Sequence, residues 1–138
     1  MTRIQFGNWV PGAVLRTYSK RHNVWHFGIA AHLDGSGPMV MHGSKDRGQF
    51  TLTPYSEFAD GQAANYTWVP ENLETQEAVL NRAESILGKP FRLFDSNCED
   101  YVNWIVTGVA RSPQREQAVR GVLILLLLGG LGGLLVKR

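Results

Sequence analysis

Polar and apolar positions follow three different rhythms along this chain, and each rhythm predicts a different kind of element. A turn at Pro11-Gly12 leads into Ala13 to Tyr18, which reads as a strand. Trp25 to Ala31 reads as a second strand, because its alternation places His26, Gly28 and Ala30 on one face and Trp25, Phe27 and Ile29 on the other. Asp34-Gly-Ser-Gly-Pro38 has the residues of a hairpin loop, so Met39 to His42 is expected to run back antiparallel to the second strand. Two further β-type segments, Gln49 to Thr53 and Tyr66 to Val69, flank what reads as a polar loop.

The rhythm then changes to a helical one. From Leu73 to Leu87, the residues Val79, Ala83, Ile86 and Leu87 form an apolar stripe, and Gly88 with Pro90 supplies the stop. A short strand is expected around Phe91 to Phe94. Ser96 or Asn97 then caps a second helix, whose stripe is Cys98, Val102, Ile105, Val106 and Val109. Arg111 to Arg120 reads as a polar connection into a third regime, in which Gly121 to Val136 contains only Gly, Val, Leu and Ile. As a helix that run would reach roughly 24 Å, close to the roughly 30 Å of a bilayer's hydrocarbon core. It is apolar all round, which suits a membrane better than a core helix. Gly129 and Gly133 have the G-x-x-x-G spacing that lets two such helices approach, so tail-mediated self-association is an expectation too.

The pattern amounts to an α+β domain: a small antiparallel sheet, two packed helices and a C-terminal apolar helix. At 138 residues and 43% hydrophobic, there is room for one core. The division expected is a folded domain over 1–112 and a connector with membrane anchor over 113–138. The net charge of +2 is scattered without a basic face, which sets nucleic acid aside as a partner. Met1 to Phe6 lacks the apolar stretch of a signal peptide, and a single cysteine cannot form an internal disulfide. Nothing in the pattern calls for a cofactor.

Chemistry gathers at three positions. Cys98 lies in the first turn of its expected helix, where the dipole and unpaired N–H groups favour a thiolate, although Glu99 and Asp100 oppose it. On position alone it is as readily a small apolar residue of the helix's inner face. His26, on a strand beside Trp25 and Phe27, has the near-neutral pKa of a general base, yet alone it is more often a satisfied core histidine. His42 sits on the neighbouring strand, where the two imidazoles can face each other and one can orient the other. His22 and His32 read as loop or strand-end residues and receive no role. Two histidines and one thiolate leave a zinc site a ligand short, so no metal is expected.

The motifs resemble a known family. Asn97-Cys-Glu-Asp-Tyr-Val102, preceded by Arg82-Ala-Glu-Ser-Ile-Leu-Gly88, is similar to the cysteine box of the lecithin:retinol acyltransferase family, in particular its phospholipase A/acyltransferase branch. Gly108-Val-Ala-Arg-Ser112 resembles that branch as well. Pro11-Gly-Ala-Val, Trp25-His-Phe-Gly-Ile-Ala30 and Val40-Met-His-Gly43 follow its histidine box in order. The resemblance implies a permuted papain-like fold, with Cys98 as nucleophile, His26 as base, His42 as the residue orienting His26, and a C-terminal membrane helix. It implies removal of an acyl chain from a glycerophospholipid through a Cys98 thioester, then transfer to water or an amine, at a membrane with the domain on the cytosolic side. Asp100 and Tyr101 stand where the branch usually has His and Phe, and Lys45 to Gln62 differs from it, which bears on activity and substrate choice.

Other readings of the same motifs stay open. Certain picornaviral H-box/NC proteins resemble this family, have about this length and end in an apolar segment. They suggest a non-catalytic, membrane-tethered interaction or replication protein on host membranes. Related permuted papain-like domains cleave peptide bonds, so a cysteine peptidase or isopeptidase is the third reading.

Overall fold

The computed structural model describes residues 8–90 and 98–109, and of Cys98 and Glu99 the backbone alone. Five strands, β1 (Val14–Ser19), β2 (Val24–Ala30), β3 (Met39–Ser44), β4 (Gln49–Pro54) and β5 (Ala64–Trp68), form one sheet in the order β4-β3-β2-β1-β5. Neighbours are antiparallel throughout. The β2–β3 hairpin is closed as its loop residues suggest: Asp34 Oδ1 accepts from the Ser36 amide at 2.7 Å, and Gly37 takes a φ of 82° that favours glycine.

Strand alternation sorts side chains onto two faces with different partners. On one face, Val14, Phe27, Ile29, Met41 and Phe50 pack against the helices α2 (Leu73–Ser85) and α3 (Cys98–Thr107), through Val79, Leu80, Ala83, Val102, Ile105 and Val106. On the other, Leu15, Ala30, Val40, Ala64 and Tyr66 pack with Trp9, Ala13 and Phe58, the last from the short helix α1 (Tyr55–Ala59). Trp68 does not follow Ala64 and Tyr66. The β1–β5 register slips between Val14 and Leu15, and this irregularity turns Trp68 to the helix face. Each such large side chain taken from water contributes about 1.5–3 kcal/mol.

Local signals set the helix ends. Asn72 caps α2 by accepting from the Thr75 amide at 2.8 Å. Arg82 of α2 donates to the carbonyls of Ile105 at 2.7 Å and Val106 at 3.1 Å, and so satisfies the end of α3 that lacks intrahelical donors. Gly108 then leaves the helix with φ 72°.

Three expectations change. The segment between the fourth and fifth strands is not simply a polar loop, because Tyr55–Ala59 forms α1 and buries Phe58 and Ala59. In α2, Leu80 joins the core, whereas Leu87 lies beyond the helix at 36% exposure. Val109 falls past the end of α3. The strand expected at Phe91 to Phe94, the cap at Ser96 or Asn97, the connection from Arg111 and the apolar run Gly121 to Val136 lie outside the described residues. Among the described residues no helix is long and apolar enough to cross a membrane.

Candidate active site

Two of the three expected residues meet. The β2–β3 ladder runs from Ala30–Val40 to Gly28–His42 and then stops, so His26 lies just beyond the last paired residues. Its ring takes over where the ladder ends: Nε2 of His26 lies 3.0 Å from the Gly43 carbonyl oxygen and 3.1 Å from Nδ1 of His42. The other nitrogen of His42, Nε2, lies 2.8 Å from Oγ1 of Thr53 on β4, and that hydroxyl donates to the Pro54 carbonyl at 3.4 Å.

These contacts favour one arrangement of the protons. A carbonyl oxygen only accepts, so Nε2 of His26 carries its hydrogen, and the facing Nδ1 of His42 presents a lone pair. His42 then carries its own hydrogen on Nε2 and donates it to Thr53, whose hydroxyl hydrogen goes to Pro54. Every donor in the chain meets an acceptor. The consequence for chemistry is that Nδ1 of His26 keeps its lone pair, as a general base requires.

Both imidazoles are held neutral. Burial first, and then the neighbouring His26, push the pKa of His42 down to about 3 against a raising contribution from Gly43. Burial also lowers His26, opposed by its hydrogen bond to Gly43 and assisted by His22. Phe58 packs against both rings. Its ring lies 4.9 Å from that of His26 and 5.2 Å from that of His42. Gly28 makes room for it, since a Cβ there would meet Val40 Cγ1 at 2.5 Å and Phe58 Cε1 at 2.9 Å.

The imidazoles open onto a cleft of about 170 Å³ on the α1 face of the sheet. Its rim is polar and charged: Arg21 and Lys45 stand with Asp46, Glu57 and Asp60, and with His22, around Thr17, His26, His42 and Phe58. Ion pairs join the rim elements, Arg21 to Asp46 at 2.8 Å and Arg47 to Glu57 at 3.0 Å. His22, given no role from sequence, belongs to this rim. Thr53 was missed as well, because a threonine in a strand is ordinary β-former usage. The available signal was its place two residues from Thr51, which pairs with His42.

Cys98 stands at the first position of α3, in the helix's opening turn as the sequence suggests. Its thiol lies outside the described atoms. The buried side chains of α3 pack on the face of Phe27, Ile29 and Met41, opposite to the face that carries His26 and His42. The opening turn of α3 lies toward the end of the sheet where the β2–β3 ladder stops, because Tyr101 stacks on Phe50, the partner of Gly43, at 6.1 Å. Among the described residues, no group of three or more His, Cys, Asp or Glu side chains is placed to hold a metal ion.

Comparison with known proteins accords with these motifs. Human phospholipase A and acyltransferase 2 is 37% identical over 78 residues, covering 53% of this chain and 45% of that protein, so the match spans under half of the relative's length. The model of the lecithin retinol acyltransferase family matches residues 17–111, which include the paired imidazoles, the cleft and all of α3. The chain belongs to the lecithin retinol acyltransferase family.

Proposed function

We propose that this protein is a thiol-dependent acyl hydrolase and acyltransferase that takes an acyl chain from a glycerophospholipid at a membrane surface. The observation that carries the reading is the ordered proton chain from His26 through His42 to Thr53, which leaves one imidazole nitrogen free to act as a base. The relative's description as a phospholipase A and acyltransferase supports the substrate class.

In this account Nδ1 of His26 takes the proton from the Cys98 thiol. The thiolate attacks the ester carbonyl carbon, the ester C–O bond breaks, and the departing glycerol oxygen takes the proton back from Nδ1. The acyl chain is then a thioester on Cys98. Water or an amine, losing its proton to Nδ1, attacks that carbonyl, the C–S bond breaks, and the sulfur recovers the proton. His42 keeps the His26 ring turned so that Nδ1 faces the thiol. The route between the two faces would pass the end of the β2–β3 ladder, where the strands no longer pair and the opening turn of α3 lies near. Residues 121–136 would hold the domain at the lipid surface.

The packing of α3 on the face opposite the imidazoles favours a second reading, a non-catalytic membrane-tethered interaction protein of the same fold. One experiment separates the two, with a peptidase as a third outcome. The full chain is incubated with phosphatidylcholine or phosphatidylethanolamine vesicles and its intact mass is followed. The catalytic reading predicts a gain of one fatty acid less water, lost in Cys98→Ala and slowed in His26→Ala. No adduct under any condition, with folded protein, supports the tethered reading, and labelling by peptide or ubiquitin-like electrophiles alone supports a peptidase.

A further inference from the structure

We infer that Thr53 is a positioning residue for the site, fixing the tautomer of His42 and, through it, that of His26. The inference rests on the catalytic reading for its kinetic consequence and on geometry alone for its structural one. Thr53 is 1% exposed, so water does not compete for its hydroxyl. His42 is 3% exposed and its Nε2 meets that hydroxyl at 2.8 Å. With Phe58 packed against the ring, the hydroxyl is the acceptor that keeps the hydrogen of His42 on Nε2.

Removing that acceptor changes the preferred placement of every proton in the chain. A buried Nε2–H without a partner is costly, so the hydrogen of His42 moves to Nδ1, where His26 stands 3.1 Å away. Two N–H groups cannot share that contact. The hydrogen of His26 therefore moves from Nε2 to its own Nδ1, and the Gly43 carbonyl loses its donor. The lone pair then faces His42, and the nitrogen meant to receive the thiol proton is already protonated. A single methyl-for-hydroxyl exchange two strands from His26 would thus disarm the base without touching it.

The experiment combines imidazole spectroscopy with rescue. The full chain carrying 15N-histidine is studied at neutral pH as wild type, Thr53→Val and Thr53→Ser. Long-range proton–nitrogen correlation distinguishes the protonated from the bare ring nitrogen in each tautomer. The wild type should show both His26 and His42 as the Nε2–H form. Thr53→Val should move both toward the Nδ1–H form, and Thr53→Ser should restore the wild-type pattern. Formation of the Cys98 acyl adduct should fall at least about tenfold in Thr53→Val and recover in Thr53→Ser. If Thr53→Val does not fold, the wild-type spectrum and Thr53→Ser still decide. An Nδ1–H form of His42 in the wild type, or unchanged tautomers in folded Thr53→Val, overturns the inference. If no variant forms an acyl adduct, the catalytic reading fails while the tautomers still decide the role of Thr53.

Discussion

The two faces of the sheet are built from the same strands by the same alternation, yet they do opposite work. The helix face is dry, apolar and closed, with Val14, Ile29, Met41, Leu80 and Ile105 each at most 1% exposed. The α1 face starts the same way, with Leu15, Ala30 and Val40, and then admits Thr17, His26 and His42 where it opens into the cleft, with Thr51 and Thr53 buried beside His42. Apolar packing needs only volume and burial, and many side chains supply it. The polar half requires every hydrogen to have a destination, and the chain from His26 to Pro54 meets that requirement through four residues. Substitutions on the helix face should therefore cost stability, and those on the cleft side activity.

The largest effect should come from the cleft side. In the proposed mechanism His26→Ala removes the base, so acyl-adduct formation should fall by about 10²–10⁴-fold, while thermal unfolding moves little because the ring is only half-buried. Single-turnover kinetics with a melting curve on the same sample checks both halves. Ile105→Ala is the mirror experiment. It opens a void against the sheet and should cost about 2–5 kcal/mol in urea unfolding, with unchanged adduct formation per folded molecule. If it instead silences the site at full stability, the faces are not separable.

Gly28→Ala tests the boundary between them. The added Cβ must displace the Val40 methyl and the edge of Phe58, at a cost of about 1–3 kcal/mol. Because Phe58 covers both imidazoles, this variant should lose stability and activity together, unlike either mutation above.

Acid offers a smaller, graded test. Unfolded His42 titrates near 6.5 and folded His42 near 3, so below about 6.5 the unfolded chain binds a proton that the folded chain excludes. Stability should be full above that point, fall by at most about 1.4 kcal/mol per pH unit below it, and level off near the folded value. His26, also lowered, acts in the same direction. Urea midpoints at several pH values read the slope, which His42→Gln should flatten; an equal slope in that variant would place the titration elsewhere. The smallest effect belongs to the rim. Arg47 and Glu57 are about half exposed, so Arg47→Gln should change stability by less than about 1 kcal/mol.

Much of this was legible in the sequence because alternation is a strong signal. The sorting of His26, Gly28 and Ala30 against Phe27 and Ile29 followed from it directly, as did the antiparallel return that brings His42 beside His26. The α2 stripe at Val79 and Ala83 and the α3 stripe at Val102, Ile105 and Val106 were equally plain. What escaped had no periodicity to show. Helix α1 is five residues long, too short for a stripe, and follows a proline. The turn of Trp68 to the helix face depends on a register slip that only the neighbouring strand reveals. Sequence could name Thr53 as a strand residue, but its role needs the cross-strand register and the proton count around two rings. The face on which α3 packs was not legible either, because a helical stripe says that a helix buries one side and not which sheet face receives it.

In the proposed mechanism the Cys98 thiol and the His26 imidazole act as a pair, although the buried side of α3 packs across the sheet from the cleft. Cys98 is the only cysteine in the chain, so the rate of alkylation by iodoacetamide reads this thiol alone. The measurement is that rate against pH, for wild type and His26→Ala. The proposed pair predicts that alkylation in the wild type stays fast well below the ordinary thiol pKa of about 8.5, because neutral His26 takes the thiol proton, and that the profile shifts toward that value in His26→Ala. Superimposable profiles in two folded proteins would contradict it, because a thiol that does not respond to loss of His26 is not paired with it.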